Sequence, residues 1–262
     1  MDPLWIALAL TAFAGLATVL GGVLAVVGKE PSGRGLGAAL GLAAGVMIAV
    51  SFLEMLPVAV EGLAGAVGGA ATALAVGALA VGAAGYVLLE RAVPVPAAGV
   101  PDDVDGPDGL SRLRLMRLGM VTALAIGLHN VPEGFVTFAG ALQDPSVGVA
   151  LAVAMAVHNV PEGIAVAVPV RRATGSRRKA FAWTAFTGLA EPVGALVGWL
   201  LLAPFLTPAL VAVVFAAVTG VMITVSLDAL LPAARAAGGR AATLAGVLLG
   251  VAAMAISLDL LG

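Results

Sequence analysis

The chain has 262 residues, 61% of them hydrophobic and 11% charged, with a mean hydropathy of +1.11 and a formal net charge of −2. That composition lies well outside the range of soluble domains. The near-neutral charge gives no footing for nucleic-acid binding, and the lack of cysteine excludes disulfides, thiolate metal sites and cysteine nucleophiles.

Apolar runs near 4–27, 36–58, 64–89, 118–142, 146–170, 180–203, 208–232 and 241–261 each reach the roughly 17–25 residues needed to cross a bilayer. They predict an all-α, polytopic membrane protein with eight transmembrane helices in a single domain, 1–262. A closed β-barrel would alternate in segments of about ten residues, whereas Ala, Leu, Val and Gly here run continuously.

The first run has no basic leader and is too long for a cleaved signal core, so it reads as a retained span. In the second, Gly37, Gly41 and Gly45 recur every four residues and predict close helix packing within the bundle, with a dimer contact as the secondary reading. Its end, Ser51-Phe52-Leu53-Glu54-Met55-Leu56-Pro57, matches Ser226-Leu227-Asp228-Ala229-Leu230-Leu231-Pro232 in the seventh run, with the acids one position out of register. This pair predicts an inverted-topology repeat, a 3+2+3 arrangement in which the first and last three helices correspond. Gly77, Gly82 and Gly85 soften the third run. Segment 91–117, with four prolines and the acidic stretch Asp102 to Asp108, is predicted to be a flexible cytoplasmic loop.

Basic residues orient the chain, because cytoplasmic connections retain Lys and Arg. All thirteen fall in the first, third, fifth and seventh connections, at Lys29 and Arg34, at Arg91, Arg112, Arg114 and Arg117, at residues 171 to 179, and at Arg235 and Arg240. Both termini are therefore expected outside.

The fourth and fifth runs carry the same six residues, His129-Asn130-Val131-Pro132-Glu133-Gly134 and His158-Asn159-Val160-Pro161-Glu162-Gly163. Ionisable groups at this depth are costly and mark ion or substrate paths. Residues four apart share a helix face, so His129 lies over Glu133 and His158 over Glu162, with Asn130 and Asn159 one step round. Pro132 and Pro161 remove the amide donors to the Leu128 and Val157 carbonyls beside these groups. The two spans are antiparallel around Gln143-Asp144-Pro145, so both polar faces meet near mid-membrane. Glu191, followed by Pro192 in the sixth run, adds a third carboxylate.

Imidazoles mixed with carboxylates suit zinc and other first-row divalent ions, whereas calcium or magnesium favours an all-oxygen cage. No Lys or Arg lies within any predicted span, so cations or protons must neutralise these acids, and metal entry should release protons. Ser51, Glu54 and Asp228, nearer span ends, are candidate pathway residues. Asp259 reads as an outer-end cap.

At these residues the chain resembles the ZIP (Zrt/Irt-like protein) family of divalent-metal transporters, in particular its bacterial ZupT-like zinc-uptake branch. The resemblance covers essentially all eight spans and rests most on the two His-Asn-Val-Pro-Glu-Gly strings and the Ala190-Glu191-Pro192 segment. It implies a multi-pass protein of the bacterial inner membrane, commonly a homodimer, with a binuclear transport site and no cofactor. By that resemblance, His129, Glu133, His158 and Glu162 form one metal position. Asn130, Asn159 and Glu191 form its neighbour with Glu133 and Glu162 shared, and Asp228 matches an acid on the exit path. The chain departs from many members in having no histidine in 91–117, and in carrying Asn and Gly around the Glu of its fifth run. Those departures leave the choice among Zn2+, Cd2+, Fe2+, Mn2+ and Co2+ open.

The leading expectation is zinc uptake toward the cytoplasm, with no substrate bond broken. Two other classes compete: a proton or other cation carrier using the carboxylates as a relay, and an intramembrane zinc hydrolase. The hydrolase is weakened by the lack of a His-Glu-x-x-His string.

Overall fold

The structure, a computed structural model, describes residues 2–27, 32–92, 112–143, 145–202 and 207–261. Among these residues every regular element is helical: α1 (Pro3–Val26), α2 (Gly33–Val50), α3 (Leu56–Val67), α4 (Ala71–Ala92), α5 (Arg112–Gln143), α6 (Pro145–Thr174), α7 (Arg177–Val197), α8 (Pro208–Thr224) and α9 (Leu231–Leu261). The acidic stretch 102–108, Lys29 and Asp144 lie outside the described residues.

Local chemistry sets the helix starts. The side chains of Asp2, Ser32, Ser176 and Thr207 accept the backbone N–H of Leu4, Gly35, Lys179 and Leu210, satisfying donors that a first turn leaves free, and Pro3 and Pro208 open their helices. Among the described residues, five apolar helical stretches are long enough to cross a membrane: Pro3–Val26, Gly33–Ala92, Leu151–Thr174, Arg177–Leu200 and Pro208–Leu260. The two longest do not run straight. Gly68 (φ 55°) divides the first of them between α3 and α4, and Gly239 (φ 73°) divides the second inside α9. Both positions demand the left-handed backbone that glycine adopts without penalty. Helix α5 begins at Arg112, so 112–117 is helix rather than linker.

The segments Ser51–Met55 and Val225–Leu230 are π-helical turns joining α2 to α3 and α8 to α9. In each, a leucine N–H reaches back five residues to a serine carbonyl, Leu56 to Ser51 and Leu231 to Ser226, and a proline follows at once. Because Pro57 and Pro232 offer no N–H to the preceding turn, the helix widens there.

Helices α1, α5, α6 and α7 pack on one another, while α2 lies along α9, and α4 and α3 along α8. The second set meets the first mainly through α2 against α6. Small residues make these approaches close. The row Gly37, Gly41 and Gly45 faces the backbone of α9 at Gly238, Thr243 and Val247, so the row is used inside the chain. Between α4 and α8, a Cβ on Gly82 would overlap the Ala217 carbonyl, and one on Gly220 would overlap that of Leu79.

Gly82→Leu should therefore force α4 off α8 and cost about 1–3 kcal/mol, the usual penalty of overpacking. Gly77→Leu, on the same helix with no neighbouring atom within 4 Å, should leave stability unchanged. Thermal midpoints of the two variants in detergent provide the comparison.

Candidate functional site

Within α5 the helical repeat stacks His129 on Glu133, and within α6 it stacks His158 on Glu162. The two helices pack directly, and their polar faces meet crosswise. His129 Nε2 lies 3.2 Å from Glu162 Oε1 and 3.9 Å from Glu133 Oε2, while His158 Nε2 lies 3.8 Å from Glu133 Oε2. All four side chains are buried. Both helices continue through Pro132 and Pro161.

The asparagine and glycine of each string face elsewhere. Asn130 Nδ2 donates to the Thr187 carbonyl of α7 (3.0 Å), and one turn on Gly134 lies against the Glu191 carbonyl so closely that a Cβ would overlap it. On α6, Asn159 Nδ2 donates to the Ala14 carbonyl of α1 (2.9 Å), and Gly163 lies equally close to the Thr18 carbonyl. Asn and Gly, four residues apart, thus make a docking face that seats α7 on α5 and α1 on α6. Sequence reasoning did not identify Ala14, Thr18 and Thr187. The i, i+4 spacing of Asn and Gly, which mirrors that of His and Glu one step round the helix, marks a second face on each helix but not the residues that meet it.

Docking delivers the third acid. Glu191, buried on α7, accepts a short hydrogen bond from Asn159 through Oε1. The partners that Glu133, Glu162 and Glu191 find among the described residues are imidazoles and an amide, and none is a Lys or Arg. Many polar atoms remain without a hydrogen-bond partner: the acceptor oxygens Oε1 and Oε2 of Glu133, Oε2 of Glu162 and of Glu191, and Oδ1 of Asn130 and of Asn159, together with both ring nitrogens of His158. Buried acceptors left unpaired carry a desolvation cost that a cation removes.

Zinc bonds of about 2.0–2.1 Å imply ligand atoms about 3.3 Å apart in a tetrahedron. The 3.2–3.9 Å separations between imidazole nitrogens and carboxylate oxygens bracket that value. As they stand, no three His, Asp or Glu side chains among the described residues enclose an ion position. The His129–Glu162 hydrogen bond would have to give way to a shared cation.

Of the expected pathway residues, Glu54 joins this centre. With Glu133, His158, Met155 and Phe215 it lines a cavity of about 70 Å³, and its Oε2 is buried without a partner. Ser51 is buried with its hydroxyl unpaired. Asp228 lines a different cavity, of about 410 Å³, bounded by Tyr86, Glu90 and Arg117 at the end of the bundle where α5 begins. On the side of the centre facing that end, Ala125, Ile126 and Val166 are buried.

Residues 102–258 match a family described as ZIP Zinc transporter. The chain is 52% identical to the zinc transporter ZupT of Corynebacterium efficiens over 206 residues, covering 77% of each protein. To the zinc transporter ZupT of Corynebacterium glutamicum it is 48% identical over 257 residues, spanning 96% of this chain and 97% of the relative. To that of Chlorobium phaeovibrioides it is 42% identical over 273 residues and the full length of both. With a helical bundle of membrane-crossing length around buried imidazole and carboxylate groups, and relatives of this similarity along its whole length, the chain belongs to the ZIP zinc transporter family, whose members are transporters and not enzymes.

Proposed function

We propose that the chain carries zinc across the bacterial inner membrane toward the cytoplasm, through a mid-membrane site built by His129, Glu133, His158 and Glu162, with Asn130, Asn159 and Glu191 completing a second, adjoining metal position. The observation that carries this reading is the crosswise His/Glu quartet, buried, without a Lys or Arg partner among the described residues, and left with unpaired acceptor atoms. Because both amide nitrogens are committed to backbone carbonyls, each asparagine has its oxygen, a hard ligand, left for a cation. Imidazole with carboxylate suits zinc and leaves Cd2+, Fe2+, Mn2+ and Co2+ as further cargo.

Eight crossings follow if Gly33–Ala92 and Pro208–Leu260 each cross twice, turning at Gly68 and Gly239, and if α5 crosses beside α6. The basic connections then lie in the cytoplasm and both termini outside. The inverted repeat is supported by the matching π-turns, and by α1 and α7 being held by the same Asn/Gly device on α6 and α5.

Transport is ligand exchange. A hydrated ion entering from the outer side meets Glu54, then trades water for Glu133 and His158, which share its cavity. The seal of Ala125, Ile126 and Val166 supports alternating exposure over a permanently open pore. Zinc must displace any protons shared between His129 and Glu162, so binding and release depend on pH.

Purified protein in proteoliposomes should accumulate zinc, and Glu133→Ala or His158→Ala should lower the initial rate by at least about 10-fold, since even the loss of a group supporting a metal ligand costs that much. Undiminished uptake by either variant removes the quartet from the path. Zinc added to the protein in weakly buffered detergent should acidify the solution, and the Glu133→Ala protein should release fewer protons. Topology is testable because the chain has no cysteine: a thiol from Arg178→Cys should react with an impermeant reagent only from the cytoplasmic side, and one from Pro145→Cys only from outside.

A further inference from the structure

The cavity at the end of the bundle where α5 begins contains an ion pair that the transport site does not use. Arg117 Nη2 donates to the backbone carbonyl of Glu90 (2.9 Å) and lies 3.3 Å from Glu90 Oε1. Glu90 stands in the last turn of α4, where carbonyls lack intrahelical donors, so the guanidinium both caps α4 and pairs with its acid. Helices α4 and α5 otherwise barely touch: α4 packs on α8 and α3, and α5 on α6 and α7. The pair is thus a bridge between the two sets of helices.

Its position matters for anything moving between the His/Glu quartet and this end. Arg117, Val121, Ala125 and His129 follow one another at four-residue steps on α5, and the twelve residues span about 18 Å. Val121 lines the cavity with Asp228 yet is 2% exposed, one turn beneath the pair. A dication leaving this way must part the packing around Val121 and pass a guanidinium of like charge.

We propose that Arg117, held by Glu90, is a positioning residue that governs cargo release: the pair clasps α5 to α4 over Val121 and must open for a divalent cation to pass Asp228. This inference rests on the reading of the chain as a zinc carrier along this route.

In the cysteine-free chain, Val121→Cys supplies the sole thiol, and its labelling by N-ethylmaleimide in liposomes reads the opening of the clasp without any zinc flux. Arg117→Gln and Glu90→Gln, each in that background, should speed labelling by about two- to fivefold, the worth of a half-exposed ion pair. The exchange of Arg117→Glu with Glu90→Arg restores the pair but not the cap on α4, and should bring labelling back to within about twofold of the parent. Zinc uptake by the same vesicles should rise with labelling in the two single variants, at an unchanged half-saturating concentration. Labelling indifferent to both single substitutions, an exchange variant as fast as either single one, or slower uptake in the single variants would overturn the proposal. Clasp-dependent labelling in a parent that carries no zinc would instead strike at the transport reading.

Discussion

Three buried carboxylates that have no Lys or Arg partner among the described residues are the constraint from which the rest of this bundle follows. An apolar interior does not tolerate such charge unless something mobile balances it. The chain surrounds Glu133, Glu162 and Glu191 with imidazoles and amides, groups that can hold a proton, accept a cation, or donate to a carboxylate. A guanidinium would have neutralised the acids permanently. The thirteen basic residues are kept to the connections and helix ends, and Arg117 and Arg171 there donate to the carbonyls of Glu90 and Ala25 near the ends of α4 and α1.

The repeated six-residue string does two jobs on two faces of one helix. His and Glu, four apart, look toward the facing helix and supply the charge. Asn and Gly, also four apart and one step round, fix a neighbour by a side-chain hydrogen bond and a backbone contact. Close backbone approach is a main route to helix association in lipid, where burying apolar surface gives little drive. The placement of the buried charges and the assembly of the helices are therefore specified together: the glycine that seats α7 also sets how near Glu191 stands to Asn159.

Much of this was readable in the residues. Helical spacing gave the stacking of His129 on Glu133 and of His158 on Glu162, and the short link between the two spans gave their antiparallel meeting. The serine-to-proline strings at 51 and 226 were visible as a likeness, and the structure adds the shared π-turn. What stayed hidden has physical reasons. Periodicity tells which face of its own helix a residue occupies, but not which neighbour that face will meet, so the docking of Asn130 on Thr187 and of Asn159 on Ala14 was out of reach. Hydropathy marks where apolar character ends, not where hydrogen bonding does. Helix α5 accordingly starts at Arg112 within the expected linker, and the second apolar run, expected to end at 58, continues as helix to Val67 before turning at Gly68.

The docking contacts also show where the duplication is incomplete. The Asn/Gly pair of α5 grips Thr187 and Glu191 on α7, and the pair of α6 grips Ala14 and Thr18 on α1, so Thr18 holds on one flank the station that Glu191 holds on the other. At that station one flank carries a carboxylate and the other a neutral residue. Glu133 and Glu162 come one from each six-residue string, whereas the third carboxylate has a neutral residue at the matching position of the other flank, so the field of the centre is skewed toward α7.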